Sequence, residues 1–264
     1  MFSAFMVNTW LAASMVAVAA GLAGFFVVLR GSTFAAHALP LGTFPGAAAA
    51  GLVGVDPFWG LFGFAALGVL LLSRLARRQR NDVATALTLI FLLGLGTLFL
   101  SLSGQYAASV FSLLFGEVLG ISSADLIPLA AATAGVMFLT AALFRPLLLS
   151  AASADLAGVQ KLDNGVLEIL FLGIIALATA MALPIVGALL VFSLMAGPPA
   201  AARALTARPL AAMVLSGALA LVTVWAAIAL SFVTNWPVGF FVGMLAAVCY
   251  AVGRSKKLLF LKKK

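Results

Sequence analysis

The sequence predicts an all-α membrane protein, a polytopic helical bundle of about nine transmembrane helices, with eight as the alternative count. Hydrophobic residues make up 65% of the 264 residues and charged residues only 8%, whereas a soluble domain carries about 25% charged residues. Apolar runs of roughly 20 residues, the length that spans a bilayer as a helix, follow one another along the whole chain. The polar intervals are too short for a soluble domain, so residues 1–264 are predicted to form one transmembrane domain.

Each predicted span is an apolar run bounded by polar or helix-breaking residues. In order, the runs are residues 7–29, 33–53, 58–75, 83–102, 126–144, 166–183, 185–200, 210–232 and 238–252. The second run contains Pro40, Gly42, Pro45 and Gly46 and is expected to be a broken helix, because proline removes an intrahelical hydrogen bond. The N-terminal residues lack the basic region of a cleaved signal peptide and are taken as the start of the first span.

The distribution of basic residues predicts the orientation. Lys and Arg are concentrated in the cytoplasmic loops of membrane proteins. With nine spans and residues 74–82 in the cytoplasm, all fifteen Lys and Arg residues fall in cytoplasmic segments. These segments are residues 30–32, 74–82, 145–165, 201–209 and 253–264. The sequence therefore predicts a multi-pass protein of the cell membrane with its N-terminus outside and its C-terminus in the cytoplasm. The net charge of +8 is explained by this orientation and does not indicate nucleic-acid binding.

The charged residues also limit the energy source. No Asp, Glu, Lys or Arg lies in the middle of a predicted span, and proton- or ion-driven carriers usually need such a group. The chain has no phosphate-binding GxxxxGK[ST] motif, so an ATPase would be a separate chain. Its single cysteine, Cys249, allows no disulfide within the chain. A secondary carrier without an ATPase remains an alternative, as does a structural or assembly membrane protein that transports nothing.

The interval between the fifth and sixth spans is predicted to bind a cytoplasmic partner. Residues 145–168 are a long polar interval and hold Asp155, Asp163 and Glu168, three of the seven acidic residues. Residues 154–160 favour a short helix. A chain that only spans lipid needs no such insert, and we predict a coupling loop at about residues 145–165.

Seven segments resemble the integral-membrane permeases of the zinc/manganese/iron ABC importer family, which belongs to the type II importer group. They occur in the family's order over nearly the whole chain. The segments are FFVVLR (25–30), PG (45–46), RRQRNDVATAL (77–87), LFGEVLGIS (114–122), FRPLL (144–148), ALPIVGALLV (182–191) and GPPAAAR (197–203).

This resemblance implies the partners and the activity. Such a permease is not an enzyme and holds no covalently bound cofactor; a separate ABC ATPase subunit uses ATP. An extracytoplasmic substrate-binding protein delivers zinc, manganese or iron, and the permease dimerises and moves its cargo by alternating access. An ABC permease for a chelated metal or another small solute is the alternative within this group.

The second span departs from the family pattern. Members usually carry D-A-L-S-H-A-x-x-P-G there, and alignment on Pro45–Gly46 places His37 at the Asp position and Leu41 at the His position. The carboxylate–imidazole pair is therefore absent. His37, the only histidine, is the candidate metal ligand and suits zinc or a similar borderline metal. The alternative is a polar residue near a helix end with no role in transport.

The resemblance also assigns the candidate sites. The substrate pathway would include His37 with Pro40, Gly42, Pro45 and Gly46, although a simple kink packed among helices is the alternative for the prolines and glycines. The ATPase would bind Ala154, Asp155, Leu156, Ala157 and Gly158, and the binding protein would dock near Glu117 and Asp125. Pro198 and Pro199 either end the seventh span or shape the cytoplasmic gate. The basic C-terminal tail would anchor at membrane lipids.

Overall fold

The computed structural model describes residues 4–77, 82–103, 121–152, 164–180, 182–183 and 187–261. Within these ranges the chain forms ten α-helices joined by short connections. They are α1 (Ala4–Arg30), α2 (Thr33–Val53), α3 (Pro57–Arg77), α4 (Asp82–Ser103), α5 (Ser123–Ala142), α6 (Phe144–Ala152), α7 (Asn164–Ala180), α8 (Ala188–Leu205), α9 (Pro209–Thr234) and α10 (Val238–Leu261).

The helical membrane fold predicted from the sequence is confirmed. Every predicted span coincides with one of these helices, and α6 is the additional one. Five helices, α1, α3, α5, α9 and α10, are long and apolar enough within the described residues to cross a membrane, and shorter apolar helices lie in α4, α7 and α8. The chain is thus a multi-pass membrane protein.

The additional helix α6 begins where the fifth span was expected to end. Leu143 interrupts the helix between α5 and α6. Proline in a helix interior clashes with the carbonyl four residues earlier, but it is tolerated in the first turn. Pro146 lies in the first turn of α6, and a continuous helix would set its ring against the carbonyl of Ala142. The break at Leu143 removes this clash and starts a new helix.

Helix ends elsewhere follow local chain chemistry. Gly54 has φ +73° and ends α2 in the left-handed conformation, which glycine adopts without a steric penalty. The Asp56 carboxylate then accepts a hydrogen bond of 2.9 Å from the Phe58 amide, and Pro57 is the first residue of α3. Asp before Pro is a favourable helix start. Because α2 ends at Val53 and α3 begins at Pro57, the two helices form a tight antiparallel hairpin.

The relative directions of the helices agree with alternating spans. Helix α9 runs antiparallel to α1, because Trp225 bonds to Ser14 while Ser216 bonds to Gly21. Side-chain and backbone contacts likewise make α5 and α8 parallel to α1, α10 parallel to α8, and α4 parallel to α2. Spans of equal parity therefore point the same way, as a threading with nine spans requires.

These directions collect the described basic residues at one end of the bundle, which we name the basic end. Helix α1 finishes there, α6 lies there, and α9 begins there. Its residues include Arg30, Arg74, Arg145, Arg203, Arg208 and Arg254. Asp56 and Asp125 lie at the opposite end.

The core of the bundle forms around α1. Two-thirds of its most apolar window is buried (67%), against 28% for α3 and 22% for α10. Small residues allow this central position, because alanine and glycine let neighbouring backbones approach closely. The buried alanines of α1 are Ala12, Ala13, Ala17, Ala19, Ala20 and Ala23.

Helix α8 continues through Pro198 and Pro199 and ends at Leu205. The interpretation that these prolines end the seventh span is therefore wrong. Both prolines are buried, and a Cβ atom on the nearby Gly24 of α1 would lie 2.7 Å from the Pro199 ring. The prolines thus shape the contact between α1 and α8 inside the helix, while their role in a gate stays a prediction.

Candidate substrate pathway and coupling region

Helix α2 carries the predicted pathway residues and is continuous through both prolines. The expectation that Pro40 and Pro45 break this helix is wrong. Both prolines are buried, as are Gly42 and Gly46, so neighbouring helices enclose the segment. The Thr43 hydroxyl donates a 2.7 Å hydrogen bond to the Pro40 carbonyl, which adds a local polar contact where proline has removed backbone donors.

The glycines of α2 are sites of close helix contact. A Cβ atom on Gly46 would lie 2.0 Å from the carbonyl oxygen of Gly60 in α3, and the converse distance is also 2.0 Å. The α2 and α3 backbones therefore cross at a point where only glycine fits on both sides.

Helix α2 also packs against α4. A Cβ atom on Gly96 would lie 2.4 Å from the Phe44 ring, and one on Gly42 would lie 3.3 Å from a Leu92 methyl group. Helix α2 thus fits closely between α3 and α4.

His37 lies one turn into α2 and is half-buried. Its ring meets the edge of Phe192 in α8 with centroids 4.6 Å apart. Within the described residues, no group of three or more His, Cys, Asp or Glu side chains is placed to hold a metal ion. The role of His37 as a transient ligand stays a prediction, and any such site would be completed by water or by groups outside the described residues.

Asp125 lies at the end of the bundle opposite the basic end, where docking of a binding protein is predicted. Its side chain is exposed, and one carboxylate oxygen accepts hydrogen bonds from the Ser122 amide (3.0 Å) and hydroxyl (2.7 Å). This is a capping box at the start of α5, so Asp125 has a structural role whether or not a partner binds there. Glu117, its predicted companion, lies outside the described residues.

The predicted ATPase contacts Ala154, Asp155, Leu156, Ala157 and Gly158 also lie outside the described residues. The structure describes the two helices that flank them, α6 and α7. Both helices contact the basic end of α1 through Arg30.

Arg30 is the centre of a polar cluster between α1, α6 and α7. Its guanidinium donates a 2.6 Å hydrogen bond to the Ser150 hydroxyl of α6 and a second, to the Glu168 carboxylate of α7. The same guanidinium lies 4.7 Å from the centre of the Phe171 ring. The Arg30 and Glu168 side chains are 14% and 29% exposed, so the ion pair is largely shielded from water.

Two further contacts fix the same end of α1. Arg203 of α8 donates a 2.9 Å hydrogen bond to the Val28 carbonyl, one of the last carbonyls of α1, which lack a partner within the helix. Phe26 and Phe144 meet edge to face with centroids 5.9 Å apart. The basic end of α1 therefore contacts α6, α7 and α8 through specific side chains.

Sequence reasoning missed this cluster. Arg30 was assigned to topology and Glu168 to the polar interval, and 138 positions separate the two residues. The sequence does show that each of the two residues borders an apolar run. Charged groups beside apolar surface tend to be paired, which indicates a partner for each residue. Nothing in the spacing identified which residue pairs with which.

Comparison with known proteins tests the predicted resemblance. Residues 3–256 match the model of the ABC 3 transport family. The chain belongs to the ABC 3 transport family. The predicted resemblance to ABC metal-importer permeases is thereby confirmed.

Curated relatives include metal transport proteins. The manganese transport system membrane protein MntC of Listeria monocytogenes is 26% identical over 256 residues, which covers 94% of this chain and 91% of MntC. A probable metal transport system membrane protein of Treponema pallidum is 30% identical over 201 residues, which covers 75% of each chain.

A solved structure supports the architecture. PsaBC from Streptococcus pneumoniae, determined in complex with a Fab, superposes with a TM-score of 0.85 at 22% sequence identity and covers 95% of this chain and 91% of the matched chain. At this identity the likeness shows the fold. The arrangement of helices in this chain is thus shared with PsaBC.

Proposed function

We propose that this chain is the permease subunit of an ATP-driven importer for a divalent transition-metal ion, with manganese as the first candidate over zinc and iron. The observation that carries the proposal is the family match over residues 3–256, together with relatives such as MntC, named for manganese transport, that align over 94% of the chain. A carrier from an unrelated family would not match this family model over nearly the whole chain.

The mechanism we propose follows from the two ends of the bundle. A separate ATPase subunit binds at the basic end through residues 154–158, and a binding protein docks at the opposite end near Glu117 and Asp125. Two permease chains, most simply two copies of this one, enclose the pathway and expose it alternately to each side. The basic end then faces the cytoplasm, as the excess of Lys and Arg predicts.

His37 is proposed to border the pathway. It is a half-buried imidazole on α2, at the position where the family pattern carries its Asp. Manganese prefers carboxylate and water ligands, whereas imidazole suits zinc and iron. Since His37 replaces the family's usual carboxylate, His37→Asp should favour manganese and His37→Ala should weaken uptake of every metal carried.

A chelated metal is the second candidate, and the departure at His37 favours it. A chelated ion brings its own ligands and needs no carboxylate–imidazole pair in the pathway.

The test uses cells of the organism that encodes this protein, with its gene deleted. The deletion is complemented with wild type, His37→Ala or His37→Asp, and the cellular content of Mn, Zn, Fe and Co is measured. Thr97→Ala is the matched control, because its exposed hydroxyl bonds within its own helix to Gly94. We expect wild type to restore one metal, His37→Ala to fail at equal protein abundance, and Thr97→Ala to match wild type. If no metal changes while an ATP-hydrolysing subunit still co-purifies, the metal-import proposal is wrong and the cargo is another small solute. If no such subunit co-purifies, the importer proposal is wrong.

A further inference from the structure

The polar cluster around Arg30 joins three helices at the basic end, and its position relative to the predicted coupling loop has a functional consequence. Ser150 lies two residues before the end of α6, and Glu168 lies in the second turn of α7. Residues 153–163, which include the proposed ATPase contacts, connect these two helices. One guanidinium therefore contacts the helices on both sides of residues 153–163 at once.

We infer that Arg30 is a positioning residue that transmits movement of the coupling loop to the central helix α1. The inference rests on the proposed function, because it requires an ATPase that pulls on residues 153–163. It goes beyond that function by naming the described side chain through which both flanks of the loop act on the bundle.

The chemistry of the cluster suits a mechanical link. A guanidinium presents several donors in a rigid planar fork, so it can bond two partners in fixed directions while its face contacts an aromatic ring. Arg30 does all three, with Ser150, Glu168 and Phe171. Its partial burial reduces screening by water and salt, so separation of α7 from α1 would leave two opposite charges poorly solvated.

The hydrogen bonds from α1 to its neighbours determine which helices would move with it. Arg203 ties the Val28 carbonyl of α1 to α8, and Ser216 ties the Gly21 carbonyl to α9 with a buried 2.6 Å hydrogen bond. Hydrogen bonds in an apolar environment fix the relative positions of the helices that they join, since a displaced partner finds no water to replace the lost bond. A shift of α6 and α7 that is passed to Arg30 is therefore expected to displace α1 together with α8 and α9.

A purely structural role for Arg30 would change different quantities. Loss of a residue that only stabilises the fold lowers the amount of folded complex, and it lowers transport and ATP hydrolysis in the same proportion. Loss of a transmitting link leaves ATP hydrolysis running while fewer ions move per ATP. The ratio of uptake to hydrolysis separates the two roles.

The experiment captures the complete complex from its native membranes by a tag on this chain, reconstitutes it in liposomes, and measures uptake of radioactive Mn²⁺ and release of phosphate together. The variants are Arg30→Gln, Glu168→Gln, Ser150→Ala, Arg30→Glu, Glu168→Arg and the charge exchange that combines the last two. Arg74→Gln is the matched control, an exposed arginine at the same end of the bundle.

We expect the ratio of uptake to hydrolysis to fall about five-fold or more in Arg30→Gln and Glu168→Gln, the lower range of typical coupling between sites. Ser150→Ala should lower it less, Arg74→Gln should leave it unchanged, and the charge exchange should recover part of the loss of its single variants. Should Arg30→Gln fail to assemble, Ser150→Ala and the charge exchange still decide the question.

A constant ratio in all variants that assemble would overturn the inference while leaving the importer proposal intact. A wild-type complex that contains no ATPase or takes up no ion would overturn the proposed function, and the inference with it.

Discussion

Helices α1 and α2 are neighbours in sequence, and both lie largely inside the bundle, yet they are held in different ways. Helix α1 exchanges hydrogen bonds with other helices along its length, at Asn8, Ser14, Gly21, Val28 and Arg30. Helix α2 instead fits closely against α3 and α4, and its Thr43 hydroxyl bonds within the helix.

This difference suggests that α1 and α2 move differently during transport. Directional hydrogen bonds in an apolar environment fix the position of a helix, since a displaced partner finds no water to replace the lost bond. Close apolar contacts allow small sliding movements between packed helices. We therefore expect α1 to move only with its neighbours, while α2, which carries His37, can shift against α3 and α4 during transport.

The largest effect on stability is expected at the crossing of α2 and α3. Gly46→Ala places a Cβ atom 2.0 Å from the Gly60 carbonyl oxygen, so the two backbones must separate, at a cost of about 3 kcal/mol. Gly51→Ala in the same helix is the matched control, because no atom lies within 4 Å of its added Cβ, and alanine is the better helix former. Thermal unfolding in detergent, followed by tryptophan fluorescence, measures both. Equal tolerance of the two changes would contradict the close crossing.

A smaller effect is expected when α1 loses one of its hydrogen bonds. Ser216→Ala removes the buried donor to the Gly21 carbonyl and should cost about 1 kcal/mol, in line with hydrogen bonds between membrane helices. The control is Ser255→Ala, since that exposed hydroxyl bonds within its own helix to Ala251. The same unfolding assay applies, and a change at Ser255 as large as that at Ser216 would argue against a special role for bonds between helices.

The smallest effect is expected inside α2. Thr43→Val keeps the shape of the buried side chain and removes only its bond to the Pro40 carbonyl of the same helix. The expected loss of stability is about 0.5 kcal/mol or less, because this bond joins no second helix. Comparison with Ser216→Ala under identical conditions tests the distinction between the two helices. If Thr43→Val proves the more costly substitution, polar contacts stabilise α2 more than we infer.

Much of the fold could be predicted because membrane spans are encoded locally. Apolar runs located α1, α2 and α9 to within a few residues, and the placement of arginines predicted which helix ends lie together. Errors occurred where proline acts against its usual preference. Pro45 and Pro198 lie inside continuous helices, since packing on all sides outweighs the local cost of a missing hydrogen bond.

The candidate site was less accessible to prediction. The family pattern placed His37 at a pathway position, but its contact with Phe192 joins residues 155 positions apart by their numbers and has no local signal. Asp125 was assigned to docking, whereas the structure shows that its carboxylate also caps α5 through Ser122. A capping pattern of Ser followed three residues later by an acid was present in the sequence and indicates that role.

The sequence by itself determined that this protein crosses the membrane repeatedly and that its basic residues lie on one side, because each span depends on a local apolar run and each end on local charge. Only the tertiary structure decided that Arg30 joins Ser150 to Glu168 and that Gly46 meets Gly60. These contacts depend on which helix faces share a boundary. Most faces of these helices are apolar and could contact lipid, so hydrophobicity cannot specify which helices pack together. Close fit and the few polar bonds between helices specify it.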